Sequence, residues 1–182
     1  MKILFINACV RKESRTFKLA TELLAGLNGE IQTVNLEDLD LKPLNEERIS
    51  KRLTDEKEQV LAKQFAGSDI IVIAAPMWDL SFPALVKLYI ENISISGVTF
   101  KYTEKGIVGL CKAKRLYYIS TSGGAFVPNF GFEYIKALSN VMYGIDDVKL
   151  FNAEGLDIWG NNVESVLSEA TKKIEEYIKT SK

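Results

Sequence analysis

The chain contains no histidine, only two cysteines and only four prolines among 182 residues. Without histidine, no Ser-His or Cys-His catalytic pair can form. No side chain then has an ordinary pKa near neutrality. A general acid or base would have to be a shifted carboxylate, lysine, tyrosine or cysteine. Two cysteines cannot complete a four-ligand Cys/His zinc site, so no metal centre is expected. Nor do they form a disulfide framework in a chain this long; a reducing, cytoplasmic setting is expected. Excess charge is also missing: 23 basic and 24 acidic groups leave a net charge of −1. That balance argues against nucleic acid or an anionic membrane as the main partner. The apolar run after Met1 and Lys2 is too short for a secretion signal or a membrane span.

What is present is an ordinary globular composition, 47% hydrophobic and 26% charged, and a length that suits one domain over residues 1–182. Five short apolar runs read as strands: Lys2–Asn7, Ile31–Leu36, Ile70–Ala75, Arg115–Ser120 and Val148–Ala153. Their richness in Ile, Val and aromatics favours strand over helix. Between them lie helical periodicities. Phe17, Ala20, Leu23, Leu24 and Leu27 share one face. Ala84, Leu85, Leu88 and Tyr89 form a second stripe, with Pro83 near its first turn. Phe132, Ile135, Leu138 and Met142 form a third, and residues from Val163 to Ile178 a fourth. A weaker pattern covers Thr54–Phe65, and the mixed-charge stretch Glu37–Glu58 reads as a solvated connection.

Strand and helix alternate throughout. This pattern predicts an α/β fold, a doubly wound five-stranded parallel sheet with helices on both faces. Its expected strand order is the flavodoxin-like 2-1-3-4-5. One connection, from Ser96 to Lys114, is about 20 residues long, more than a structureless link usually runs. It leaves a helix at the amino edge of the sheet, whereas ligands bind at the carboxyl edge. It is badly placed for its own subunit's site but able to reach a partner's.

Three loops at the carboxyl edge could carry chemistry. The first runs from Asn7 to Ser14-Arg15-Thr16 at a helix start, where free N–H groups and hydroxyls suit a phosphate. N-capping by Ser14 or Thr16 is the plainer reading of the same residues. The loop matches neither dinucleotide nor NTP fingerprints, so a phosphomonoester fits better. The second loop, Pro76-Met77-Trp78-Asp79-Leu80-Ser81-Phe82-Pro83, is a stiff apolar ledge between prolines. The third, Thr121-Ser122-Gly123-Gly124, lets backbone approach a planar ligand closely. Together they suit a flat ring bearing a phosphorylated chain, and FMN is such a molecule.

The run APMWDLSFPALVKLYIENISISGVTFKYTEKGIVGL at Ala75–Leu110, with TSGG at Thr121–Gly124 and AEG at Ala153–Gly155, resembles the FMN-dependent NADH:quinone oxidoreductase and azoreductase family. The resemblance implies that Ser14, Arg15 and Thr16 hold the FMN phosphate. Met77, Trp78, Asp79 and Leu80 would line the isoalloxazine, and Thr121, Ser122, Gly123 and Gly124 would close its other side. It implies a homodimer in which Phe100 and Tyr102 reach the partner's acceptor site. NADH or NADPH would be the transient donor, and a quinone, azo compound or other flat small molecule the acceptor. Asp79 stands where many relatives carry Asn, and Asn7-Ala8-Cys9 where many offer a serine.

Two other readings compete. Cys9-x5-Arg15-Thr16 resembles the phosphate loop of low-molecular-weight tyrosine phosphatases. Glu13 within the loop, the lack of glycine there and the absence of an Asp-Pro pair oppose that reading. A non-enzymatic electron carrier of flavodoxin type is the other, opposed by the near-neutral charge.

Overall fold

Ile70–Ala74 forms β3, buried at every position because both faces of a central parallel strand are covered. The computed structural model describes residues 1–180. In chain order the elements are β1 (Lys2–Asn7), α1 (Arg15–Gly26), β2 (Glu30–Asn35), α2 (Glu46–Lys51), α3 (Val60–Ala66), β3 and α4 (Ala84–Ile93). There follow β4 (Phe100–Thr103), β5 (Gly106–Gly109), β6 (Arg115–Thr121), α5 (Phe130–Leu138), β7 (Asp147–Ala153) and α6 (Val163–Thr180).

The main sheet has the order β2-β1-β3-β6-β7, and every pairing in it is parallel. This is the expected 2-1-3-4-5 order of the five core strands. Side chains alternate between two cores. On one face Ile3, Phe5, Val72, Tyr117 and Ile119 pack against Leu19 and Leu23 of α1 and Ile174 of α6. On the other, Leu4, Ile6, Ile71, Ile73 and Tyr118 meet Phe65 of α3, Tyr89 and Ile90 of α4 and Ile135 of α5. No helix among the described residues is long and apolar enough to cross a membrane.

The structure departs from the sequence reading in four places. The long connection is not structureless: β4 and β5 form an antiparallel hairpin pairing Phe100 with Gly109 and Tyr102 with Ile107. Part of the charged stretch is helical, as α2. No residue of α2 is buried, so it leaves no apolar stripe to read. It is held by polar contacts instead: Asn45 caps it by accepting from Arg48 N–H, and Arg48 reaches Glu58 and Asn92, each at 2.7 Å. The expected Thr54–Phe65 helix shrinks to α3. Finally, α5 runs into a π turn over Ser139–Tyr143, ended by Gly144 at φ 71°.

That π turn carries the hairpin. A Cβ on Gly109 would lie 2.1 Å from the carbonyl carbon of Tyr143, so only glycine permits this backbone-to-backbone approach. The hairpin is also tied to the amino edge of the sheet, where Lys112 N–H donates to the Ala66 carbonyl at the end of α3. Replacing Gly109 with Ala must shift backbone rather than a side chain. Gly109→Ala is expected to cost about 1–3 kcal/mol, read as a lowered midpoint in urea unfolding.

Candidate functional site

A cleft of about 400 Å³ opens at the carboxyl ends of β1, β3, β6 and β7, within the size range of small-molecule sites. Its floor is the point where β1 sits between β2 and β3 and the loops diverge. Ser14, Arg15, Thr16, Met77, Trp78, Thr121, Ser122 and Gly123 all line it. Eight of the expected residues, from three loops far apart in sequence, thus share one cavity.

The first loop leaves β1 and delivers the start of α1. Ser14 is the N-cap: its Oγ accepts from Phe17 N–H at 3.2 Å, satisfying one of the orphan donors of the first turn. Capping and ligand binding are compatible here, because the cap uses only one such donor. Among the described residues, no hydrogen bond engages the N–H groups of Val10, Arg11, Lys12, Glu13, Arg15 or Thr16. A loop of unpaired N–H groups feeding a helix N-terminus is what a phosphate monoester needs. Thr16 is buried, and its hydroxyl meets that of Thr121 at 2.7 Å, tying the start of α1 to the end of β6.

The second loop turns sharply. Trp78 and Ser81 exchange backbone hydrogen bonds, and between them Asp79 and Leu80 have φ of 50° and 64°. Two consecutive left-handed residues are the requirement of a type I′ turn, strained for a leucine. The N–H groups of Met77 and Trp78 are already committed, to Thr121 O and Ser81 O. Asp79 and Leu80 are exposed at the tip of the turn and do not line the cleft; the Asp79 carboxylate stays in solvent.

The third loop is fastened to the one after β7. Leu156 N–H donates to Ser122 O and Asp157 N–H to Gly123 O. A Cβ on residue 123 would lie 2.4 Å from Asp157 Oδ2, so a side chain there would displace the Asp157 carboxylate from its present position. Gly124 faces open space and lies outside the cleft lining.

Sequence reasoning missed Asp157. The loop after Ala153 enters the sequence reading only through the AEG run at Ala153–Gly155, with no role for a side chain beyond it. Asp157 Oδ1 accepts from Arg15 Nη1 at 2.7 Å, across the mouth of the cleft. The available signal was an acid at the carboxyl end of the last strand, in a site with an arginine at its centre.

The hairpin pair divides. Tyr102 is 69% exposed and free to meet another surface, whereas Phe100 is only 5% exposed. Phe100 packs edge-on beneath Tyr102, with ring centroids 5.4 Å apart. Of the two residues expected to reach a partner's site, Tyr102 is therefore the one offered outward, with Phe100 buried behind it in its own chain.

A family model described as a flavodoxin-like fold matches residues 1–178. The chain belongs to this flavodoxin-like family. The FMN-dependent NADH:quinone oxidoreductase 2 of Clostridium acetobutylicum is 38% identical, with 98% of each chain covered. The FMN-dependent NADH:quinone oxidoreductase of Coprothermobacter proteolyticus is 34% identical at the same coverage. Among solved structures, an FMN-dependent NADH-azoreductase of Bacillus anthracis in complex with FMN shares 28% identity and a TM-score of 0.83, with 98% of each chain covered.

Within this flavodoxin-like chain, the phosphatase reading fails on its nucleophile. Burial pushes the Cys9 thiol above its ordinary 9.0, and the nearby Ser14 side chain only partly offsets this. A thiol raised in this way is scarcely ionised at neutral pH. Its partner arginine is held by Asp157. Alkylation of Cys9 by iodoacetamide, followed by mass spectrometry, is expected to be slow at neutral pH and still to be rising with pH at 9.0, where an ordinary thiol is half ionised. Rapid alkylation at neutral pH would contradict the assignment.

Proposed function

We propose that the chain is an FMN-dependent oxidoreductase that takes a hydride from NADH or NADPH and delivers it to a quinone, an azo compound or another flat acceptor. The observation that carries this reading is the loop of unpaired N–H groups at the start of α1, opening into one cleft with the Met77–Trp78 ledge and the Thr121–Gly123 turn. Kinship to FMN-dependent proteins over the full chain supports it.

The residues fit the cofactor. The phosphate would rest on the free N–H groups of the first loop and on Arg15 and Thr16, with Ser14 holding the helix start in place. Met77 and Trp78 would form one wall for the ring, with Asp79 and Leu80 at its outer lip. Thr121, Ser122 and Gly123 would form the other wall, with Gly124 beyond it. FMN, when bound, supplies two-electron hydride chemistry at a flat ring, which protein side chains lack.

The chain's own task is then orientation and exclusion. The committed N–H groups of Met77 and Trp78 keep the ledge rigid, so the ring meets a preformed surface. No dinucleotide-binding fingerprint is needed, because the donor only stacks, leaves and makes room for the acceptor. This is a two-step, ping-pong scheme. With no histidine available, protons for the reduced acceptor come from water or from a hydroxyl such as Tyr102. A second copy would present its Tyr102 over the cleft, making the working unit a homodimer, with a cytoplasmic setting for a chain with free thiols.

Two measurements test this. The purified protein is expected to show a flavin absorption band that NADH bleaches without oxygen and a quinone restores. A colourless protein that binds no added FMN would sink the reading. Tyr102→Ala is expected to lower kcat/KM for the acceptor about 2- to 10-fold, the worth of one aromatic contact, with FMN retention unchanged. Loss of FMN instead would mean that the hairpin serves the cofactor rather than the acceptor.

A further inference from the structure

Four charged side chains line the cleft: Arg11, Glu13, Arg15 and Asp157. Their formal charges cancel. Glu13 is turned outward to Lys18, at 2.9 Å, and Arg11 has no ion-pair partner among the described residues. Arg15 differs from both. Its Nη1 donates to Asp157 Oδ1 at 2.7 Å and, at 3.5 Å, to the Leu156 carbonyl. Asp157 is in turn held by its backbone, through its N–H bond to Gly123 O at 3.0 Å. A carboxylate is therefore built into the mouth of a cleft whose free N–H groups suit a phosphate.

We propose that Asp157 is the stand-in anion of this cleft: its carboxylate holds Arg15 while no flavin is bound, and it sets both how tightly FMN is retained and how strongly FMN is preferred over riboflavin. The inference rests on the reading of the cleft as an FMN site.

The Asp157 charge opposes a phosphate whether or not Arg15 moves. A phosphate monoester carries between one and two negative charges at neutral pH. If it takes Arg15 from Asp157, the ion pair must be broken first. If Arg15 bridges both groups, the carboxylate and phosphate repel each other across one guanidinium. Either way the Asp157 charge opposes the phosphate and leaves the uncharged riboflavin unaffected. Asp157 also has a use in the flavin-free protein. Its carboxylate ties the start of α1 to the β7–α6 loop, while its N–H bond to Gly123 O, which does not depend on the charge, holds the β6–α5 loop. Both partners are substantially exposed, at 39% and 68% of their side chains, so salt will screen the effect.

The test uses the full-length protein freed of flavin, titrated with FMN and with riboflavin by flavin fluorescence at low and high salt. Asp157→Asn keeps the shape and removes the charge. It is expected to lower the Kd for FMN about 2- to 5-fold at low salt, the scale of a partly exposed ion pair. The Kd for riboflavin should stay the same, and the FMN gain should shrink at high salt. Asp157→Ser should act in the same direction, which separates charge from shape. Unchanged or weaker FMN binding in both variants would overturn the proposal, since it would make Asp157 a positioning residue for Arg15 or a bystander. If the unaltered protein binds riboflavin as tightly as FMN, the cleft does not hold a phosphate, and the proposal falls together with the reading beneath it.

Discussion

β1 is paired in parallel with β2 on one side and with β3 on the other. The chain crosses from β1 to β2 and then back past β1 to β3, and right-handed crossovers in these opposite directions put α1 on one face and the later helices α3, α4 and α5 on the other. The loops at the carboxyl ends therefore part at β1 and leave a cleft between them. All the rest of the site hangs on that reversal. α1 starts there, with its unpaired N–H groups facing inward. The β3 loop can fold into a stiff ledge only because β6 lies beside it, where Thr121 O takes the N–H of Met77.

Hydrogen-bond commitment explains why the site is rigid where it should be and open where it should be. The walls are made of backbone already bonded to neighbouring loops. The end proposed for the phosphate is made of backbone with no partner, and a carboxylate, Asp157, reaches across it to Arg15. Nothing in the site relies on a titrating side chain near neutral pH. That agrees with the absence of histidine, and with a thiol at Cys9 that burial keeps protonated.

Legibility followed the kind of force involved. The five core strands were readable because burial on both faces demands unbroken apolar runs, and β3 is the extreme case. The helices that cover the sheet were readable through their apolar stripes. α2 was invisible because it buries nothing and is held by Arg48 and Asn45. The β4–β5 hairpin was hidden for a related reason. Its residues other than Phe100 and Gly109 are exposed, and its anchoring depends on Gly109 lying against the backbone of Tyr143. In the site, Ser14, Thr16, Met77, Trp78 and Thr121–Gly123 were legible because chain order alone places those loops on one edge of the sheet.

The sequence by itself determined the class of fold, the strand order and the edge at which a ligand must sit, because periodicity and alternation are local properties of the chain. It also removed hydrolytic triads and zinc from consideration by composition alone. Tertiary structure decided what no local pattern encodes. It showed that Phe100 is buried while Tyr102 is offered outward. It showed that Gly123 lies against the Asp157 carboxylate, and that Arg15 is already paired with that acid from the far end of the chain. The reason is physical: an ion pair between residues more than 100 positions apart leaves no periodic trace in either segment, and exists only once the sheet has brought both loops to one edge.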